Sequence, residues 1–273
     1  MRRLTQQTLL VLALAALPWA GSAFELKPRT LAAFDRYVQL TEARMVGEVA
    51  GTTPFLWVDR QPDKERAKLL DQLRRGQVTV AHLQTRDSKK EIDVPDGLIH
   101  HWIGTVLLPG VSLAKAVAFV QEYDRYPERF GPTIQRAHVL KHEGDHFDVA
   151  MRTWAKKVIT VVIDADYAVD YQVLDAKRVW TKSVAMHLKE IQSAGQPDER
   201  AKPGDEAGGY LWRFNNYCAF EERSEGTYEQ CESVSLTREP PFGLGWMIKP
   251  FVTGIPREAL EFTLGHVRSG LQR

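Results

Sequence analysis

Tyr210-Leu211-Trp212-Arg213-Phe214-Asn215-Asn216-Tyr217-Cys218-Ala219-Phe220-Glu221 and Tyr228-Glu229-Gln230-Cys231-Glu232-Ser233-Val234-Ser235-Leu236-Thr237 are the two stretches that decide the fold. Both are strand-like, and the polar segment Glu222 to Thr227 between them reads as a hairpin tip. A register centred between Ser224 and Glu225 sets Cys218 opposite Cys231, Tyr217 opposite Glu232 and Asn215 opposite Val234. Alternation along the first strand groups Leu211, Arg213, Asn215 and Tyr217 on one face. Trp212, Phe214, Asn216, Cys218 and Phe220 fall on the other.

Working outward, four more strand candidates precede the hairpin: 134–141, 146–154, 158–174 and 179–191, the third interrupted by a bulge or bend at Asp164-Ala165-Asp166. Upstream, Leu98 to Leu108 is strand-like and stops at Pro109-Gly110. Ser112 N-caps a helix whose Val117, Phe119, Val120 and Tyr123 face inward, and a short helical turn spans Tyr126 to Phe130. Downstream, Pro256 opens a helix from Arg257 to about Leu271. Before a turn-rich hinge at Asp93 to Gly97, the pattern predicts a helix over 28–48, a short strand over 55–58, a charged helix over 63–75 and a strand over 78–83. This N-terminal α/β piece is too small for a comfortable core of its own and is expected to pack on the larger C-terminal part of the chain.

The first residues set the compartment. Arg2 and Arg3 precede an apolar run from Leu9 to Trp19 and the small residues Ala20-Gly21-Ser22-Ala23. This is the three-part pattern of a bacterial secretory signal, too short for a comfortable membrane span, with cleavage expected after Ala23 and delivery to the periplasm or medium. The chain thus divides into 1–23 as signal, 24–95 as N-terminal extension and 96–273 as main domain. In an oxidising compartment Cys218 and Cys231, the only cysteines, are expected to form a disulfide; the alternative is two free thiols on neighbouring strands. The 36 Lys+Arg balance 35 Asp+Glu, which removes the electrostatic footprint of a nucleic-acid binder.

One strand, a helical pair, six antiparallel strands and a long final helix make an order that resembles the START-like helix-grip superfamily. The resemblance covers about residues 96–272 and is carried by Tyr123-Asp124-Arg125-Tyr126-Pro127, Trp212-Arg213-Phe214 and Gly243 to Leu264. That family includes lipid-transfer, coenzyme Q-binding and polyketide-cyclase-like proteins. It implies an α+β fold in which a curved antiparallel sheet grips the C-terminal helix and leaves a cavity for an apolar ligand. The expected function is therefore non-catalytic binding or carriage of a lipid, quinone or sterol-like molecule. The alternatives are a cyclase/aromatase-type enzyme acting through Arg213, Tyr217 or Glu232, and an envelope interaction module using residues 24–95.

If the Arg213 face is concave, Arg213, Asn215, Tyr217 and Glu232 become polar anchors in the cavity. If it is not, Arg213 and Glu232 form a structural or solvated ion pair and the aromatic face is the buried one. Only the register separates these readings. The apolar, Gly/Pro-rich stretch from Pro240 to Phe251 is expected either to close the cavity as a lid, with Phe242, Trp246, Met247 and Phe251 at its tip and transient membrane contact, or to pack over the final helix. No nucleotide-binding, serine-hydrolase or zinc-protease motif stands in a supporting context, so no cofactor is expected. His138, His142 and His146 fall on strands joined by a turn and do not form a metal site, and adjacent His100 and His101 point to opposite faces.

Overall fold

The computed structural model describes residues 26–156, 160–203, 209–239 and 245–272, with the backbone alone over 245–253. The segment expected to be a signal, its expected cleavage position and Phe242 lie outside these residues. The extension begins with α1 (Pro28–Val49), a 3-10 turn at Trp57–Arg60 and α2 (Asp63–Arg74), followed by β1 (Thr79–His82) and the small hairpin β2 (Arg86–Asp87) and β3 (Lys90–Glu91). The main domain continues with β4 (Gly97–Pro109), α3 (Leu113–Gln121), a 3-10 turn at Tyr123–Arg125 and α4 (Tyr126–Phe130). Then come β5 (Ile134–Glu143), β6 (His146–Lys156), β7 (Thr160–Asp175), β8 (Arg178–Gln192), β9 (Arg200–Ala201), β10 (Leu211–Arg223), β11 (Gly226–Arg238) and α5 (Gly245–Leu271).

The large sheet is antiparallel and runs β1-β4-β11-β10-β8-β7-β6-β5, with β9 on β8. Its β10–β11 register pairs Cys218 with Cys231, Tyr217 with Glu232 and Asn215 with Val234, around a two-residue turn at Ser224-Glu225. The disulfide joins Cys218 to Cys231 across 4.1 Å between Cα atoms, the spacing of a directly opposed, non-hydrogen-bonded pair.

Helix α5 lies along β4, and a glycine makes the close approach possible. A Cβ on Gly104 would stand 2.7 Å from Leu264 Cδ1 and 3.0 Å from Leu260 Cγ, so only a bare backbone lets the helix seat there. Gly104 pairs with Cys231, which assigns the even-numbered face of β4 and the odd-numbered face of β11 to the α5 side. The core on that side joins Val106, Leu108, Phe220 and both cysteines to Leu260, Leu264 and Val267 of α5 and to α3 and α4. The opposite face is covered too. Phe34, Tyr37 and Met45 of α1 pack on Trp212, Tyr217, Val234 and Leu236, and Leu69 and Leu73 of α2 pack with Leu107, Ala219 and Tyr228. Both helices of the extension thus lie on the back of the sheet, and β1 adds a strand to its edge.

Three local expectations need correction. Residues 55–58 do not form a strand. Phe55, Leu56 and Val58 instead bury against α2 and the back of the sheet, and the Trp57 amide donates to Gln230 Oε1 at 2.6 Å. The final helix begins at Gly245, eleven residues before Pro256, so α5 runs through both Pro250 and Pro256. Proline removes a helix hydrogen bond and kinks the helix without always ending it, which is why it misplaces the start. Trp212 is an extra residue in a bulge, since Leu211 pairs with Thr237 while Arg213 pairs with Leu236. The bulge breaks strict alternation and turns Trp212 to the back with Tyr217, away from Phe214. Among the described residues no helix is long and apolar enough to cross a membrane.

Candidate ligand-binding face

Strands β4, β11 and β10 carry two polar clusters, one on each face. The back cluster centres on Glu232, which is 2 % exposed. Its carboxylate accepts from Arg44 of α1 and from His101 Nε2 at 2.6 Å. Tyr37 OH accepts from the Thr85 amide at 2.8 Å and lies 2.9 Å from His101 Nδ1. A consistent chain of donors therefore runs from Thr85 through Tyr37 and His101 to Glu232. Arg44 also pairs with Glu48, which receives Arg60 as well. Beside this chain, Tyr217 OH donates to Glu42 at 2.7 Å, Asn215 donates to Tyr217 OH at 3.0 Å, and Lys182 reaches Glu42 at 2.6 Å. Burial, first of all, holds the Tyr217 phenol well above its ordinary range.

Asn215, Tyr217 and Glu232 are thus brought together, but not as anchors facing α5. They share the face of Val234 and Leu236, which α1 covers, and their hydrogen bonds go to α1, to His101 of β4 and to one another. Arg213 sits at the bulge, and its Nη1 donates to the Trp212 carbonyl at 2.7 Å. The ion pair of Glu232 is made with Arg44, a residue of the extension. The back cluster fastens α1 to the sheet.

The front cluster faces α5 and has a different character. From β4 it takes His100 and Trp102, from β10 Phe214 and Asn216, and from β11 Glu229, Ser233, Ser235 and Thr237. His100 Nε2 lies 2.8 Å from Thr237 Oγ1, and burial lowers the imidazole to about 4, with His82 adding to the effect. His82 stands edge-on to Trp102 at 4.9 Å between ring centroids. Phe214 meets Tyr167 of β7 edge-on, and Trp102, Tyr167, Phe214 and Phe262 stay half-buried although they face the helical side. Deeper, Tyr123 and Tyr171 share a 2.7 Å hydroxyl contact, and Tyr126 OH donates to the Val120 carbonyl at 2.7 Å.

Glu229 is the odd member. It is 3 % exposed, lies between Val106 and Phe220 in the sheet, and Oε1 is 3.8 Å from Cys231 Sγ. Oε2 has no hydrogen-bond partner among the described residues. Burial alone pushes this acid up to about 8, so it holds a proton at neutral pH.

Alternation marks Glu229, Cys231, Ser233, Ser235 and Thr237 as one face, whereas the anchors expected from the sequence lie on the Glu232 face. The signal that distinguishes the two faces is Gly104, a glycine inside a bulky strand, which marks where another element comes close. His100 and His101 do point oppositely, one to Thr237 and the other to Glu232. His138 pairs with Asp124, His142 stacks on Phe147, and His146 sits between Asp148 and Asp170. No group of three or more potential metal ligands occurs among the described residues. Of the expected lid residues, Trp246, Met247 and Phe251 belong to the first turns of α5, where only the backbone is described.

An antiparallel sheet whose first long strand is followed by a helical pair, and whose last strand leads into a long helix laid along it, is a helix-grip arrangement. Solved structures of similar shape include a STAR-related lipid transfer protein from Xanthomonas axonopodis, at 13% identity and TM-score 0.45, covering 71% of this chain and 99% of that one. The Zhui aromatase/cyclase from a Streptomyces species is similar at 10% identity and TM-score 0.44, with 64% and 95% of the chains covered. The human StarD13 lipid transfer and protein localization domain gives 7% identity and TM-score 0.43, with 78% and 98% covered. No protein-family model matches the chain, and no curated protein matches it.

Proposed function

We propose that this protein is exported and holds or carries a hydrophobic small molecule, of the lipid, quinone or sterol-like class, between the front face of the sheet and α5. The observation that carries the reading is the composition of that face. Trp102, Tyr167, Phe214 and Phe262 remain half-buried where a core would seal them, beside the buried polar groups His100, Glu229, Ser233, Ser235 and Thr237. Apolar walls with a small number of placed polar groups suit a ligand that is mostly hydrocarbon. Native mass spectrometry of gently purified protein should show a co-purifying lipid-sized mass. An empty protein that takes up no lipid, sterol or quinone would overturn the reading.

Two extensions belong to it. The mature chain is expected in the periplasm or medium beginning at Phe24, and N-terminal sequencing that finds Met1 intact would refute export. The first turns of α5, with Trp246, Met247 and Phe251, together with Phe242, are assigned as the lid, which also makes transient membrane contact. Trp246→Ser should then speed ligand release with little change in the melting of ligand-free protein; early melting with an unchanged release rate would show a core residue instead.

A second reading, an enzyme of the cyclase type, draws on Glu229 and His100. Both titrate far from their ordinary values on the face that would meet a substrate. Loss of turnover of a polyketide-like substrate in Glu229→Gln, with binding retained, would favour it.

A further inference from the structure

The back of the sheet is covered by α1, and there Glu232 accepts from Arg44 and His101 while both His101 ring nitrogens are engaged, by Glu232 and by Tyr37. Glu229 differs in each respect. It projects to the α5 side, on the same face as Cys231, and the strands on either side set Val106 and Phe220 against it. No described residue partners Oε2, and a buried polar atom left without a hydrogen bond costs about 1–3 kcal/mol. Among the described residues no Lys or Arg is hydrogen-bonded or ion-paired to it. A carboxyl group in this setting keeps its proton and therefore presents one O–H donor and one carbonyl acceptor.

We infer that Glu229 is the polar anchor at the inner end of the grip, and that it selects ligands whose buried end is an uncharged hydroxyl or carbonyl group. Such a group can receive the acid proton, return a hydrogen bond to its carbonyl oxygen, or do both. A carboxylate or phosphate would enter without a counter-charge, and burial of an unpaired charge is far more costly than burial of a dipole. A head with no polar atom would leave Oε2 as orphaned as before. The inference rests on the ligand-binding reading above and adds the chemistry of the ligand's buried end.

The test uses a matched series in competition with the uncharged dye Nile red at neutral pH: 1-hexadecanol, hexadecanoate and hexadecane. Wild-type protein should take 1-hexadecanol about tenfold more tightly than hexadecane, the worth of one buried hydrogen bond. Hexadecanoate should bind more weakly than the alcohol. Glu229→Leu, which fills the site with an apolar group, should bind alcohol and alkane alike. Glu229→Gln, which keeps a donor and an acceptor, should retain the preference and serves alone if the Leu variant does not fold. Equal binding of alcohol and alkane by wild type, a preference that survives in Glu229→Leu, or tighter binding of hexadecanoate would each overturn the anchor. If neither Nile red nor any of the three compounds binds, the ligand-binding reading itself falls, and the anchor with it.

Discussion

Replacing Glu229 by Gln should change how stability depends on pH, and the size of the change comes from its burial. The acid titrates at about 8 in the folded protein against an ordinary 4.5. Between those values the native state keeps a proton that the unfolded chain has released. Stability therefore falls as pH rises through this window, by about 1.4 kcal/mol per pH unit, and levels off above the folded value. Across the full window the loss is about 4–5 kcal/mol. Glutamine has the same shape and no proton to lose. His100, whose folded value of about 4 gives stability that is lost as pH falls below its ordinary 6.5, is common to both proteins and cancels in the difference. Urea unfolding of wild type and Glu229→Gln from about pH 5 to about pH 8 should show the variant gaining on wild type by about 3–4 kcal/mol across the series. A difference that stays constant with pH would refute a buried, protonated Glu229.

Glu232→Ala should destabilise by about 3–5 kcal/mol because it leaves His101 and Arg44 without their shared acceptor, and additivity with Arg44→Ala in a double-mutant cycle would show that no clasp exists. Reduction of Cys218–Cys231, whose cysteines are 13 residues apart, should lower stability by about 3 kcal/mol before strain is counted. Alkylation of denatured, unreduced protein should add no mass, and two alkyl groups would show free thiols. Gly104→Ala places a methyl 2.7 Å from Leu264 Cδ1 and should lower the urea midpoint by the equivalent of about 1–3 kcal/mol, while an unchanged midpoint would mean that α5 does not press on β4.

The hairpin from 210 to 237 is legible in the sequence down to its pairing, because the turn and the period of two leave one register that opposes the cysteines. The inside of the fold is not legible from the same stretch. Period two says which side chains share a face but not which face a helix will cover, and here α1 and α5 cover one each. With both faces buried, polar and apolar residues no longer sort into out and in, so Tyr217 and Glu232 look as much like cavity anchors as His100 and Thr237 do. The bulge at Trp212 adds a local phase shift that no residue type announces. The start of α5 is hidden for a different reason. Gly245, Pro250 and Pro256 all argue locally against a helix that the backbone nevertheless forms.

Because α1 and α2 lie across the back of β4, β11 and β10, these strands behave as a braced partition rather than a flexible leaf. Bending the partition to admit a guest would shear the contacts of Phe34 and Tyr37 with Trp212 and Leu236 and pull Arg44 away from Glu232. The helical side has no such brace behind it. On the ligand-binding reading proposed above, passage into the grip is expected to open by displacement of α5 or of the α3–α4 corner, with the sheet as the stationary jamb. Release kinetics should accordingly respond to changes along α5 and be nearly deaf to conservative changes beneath α1.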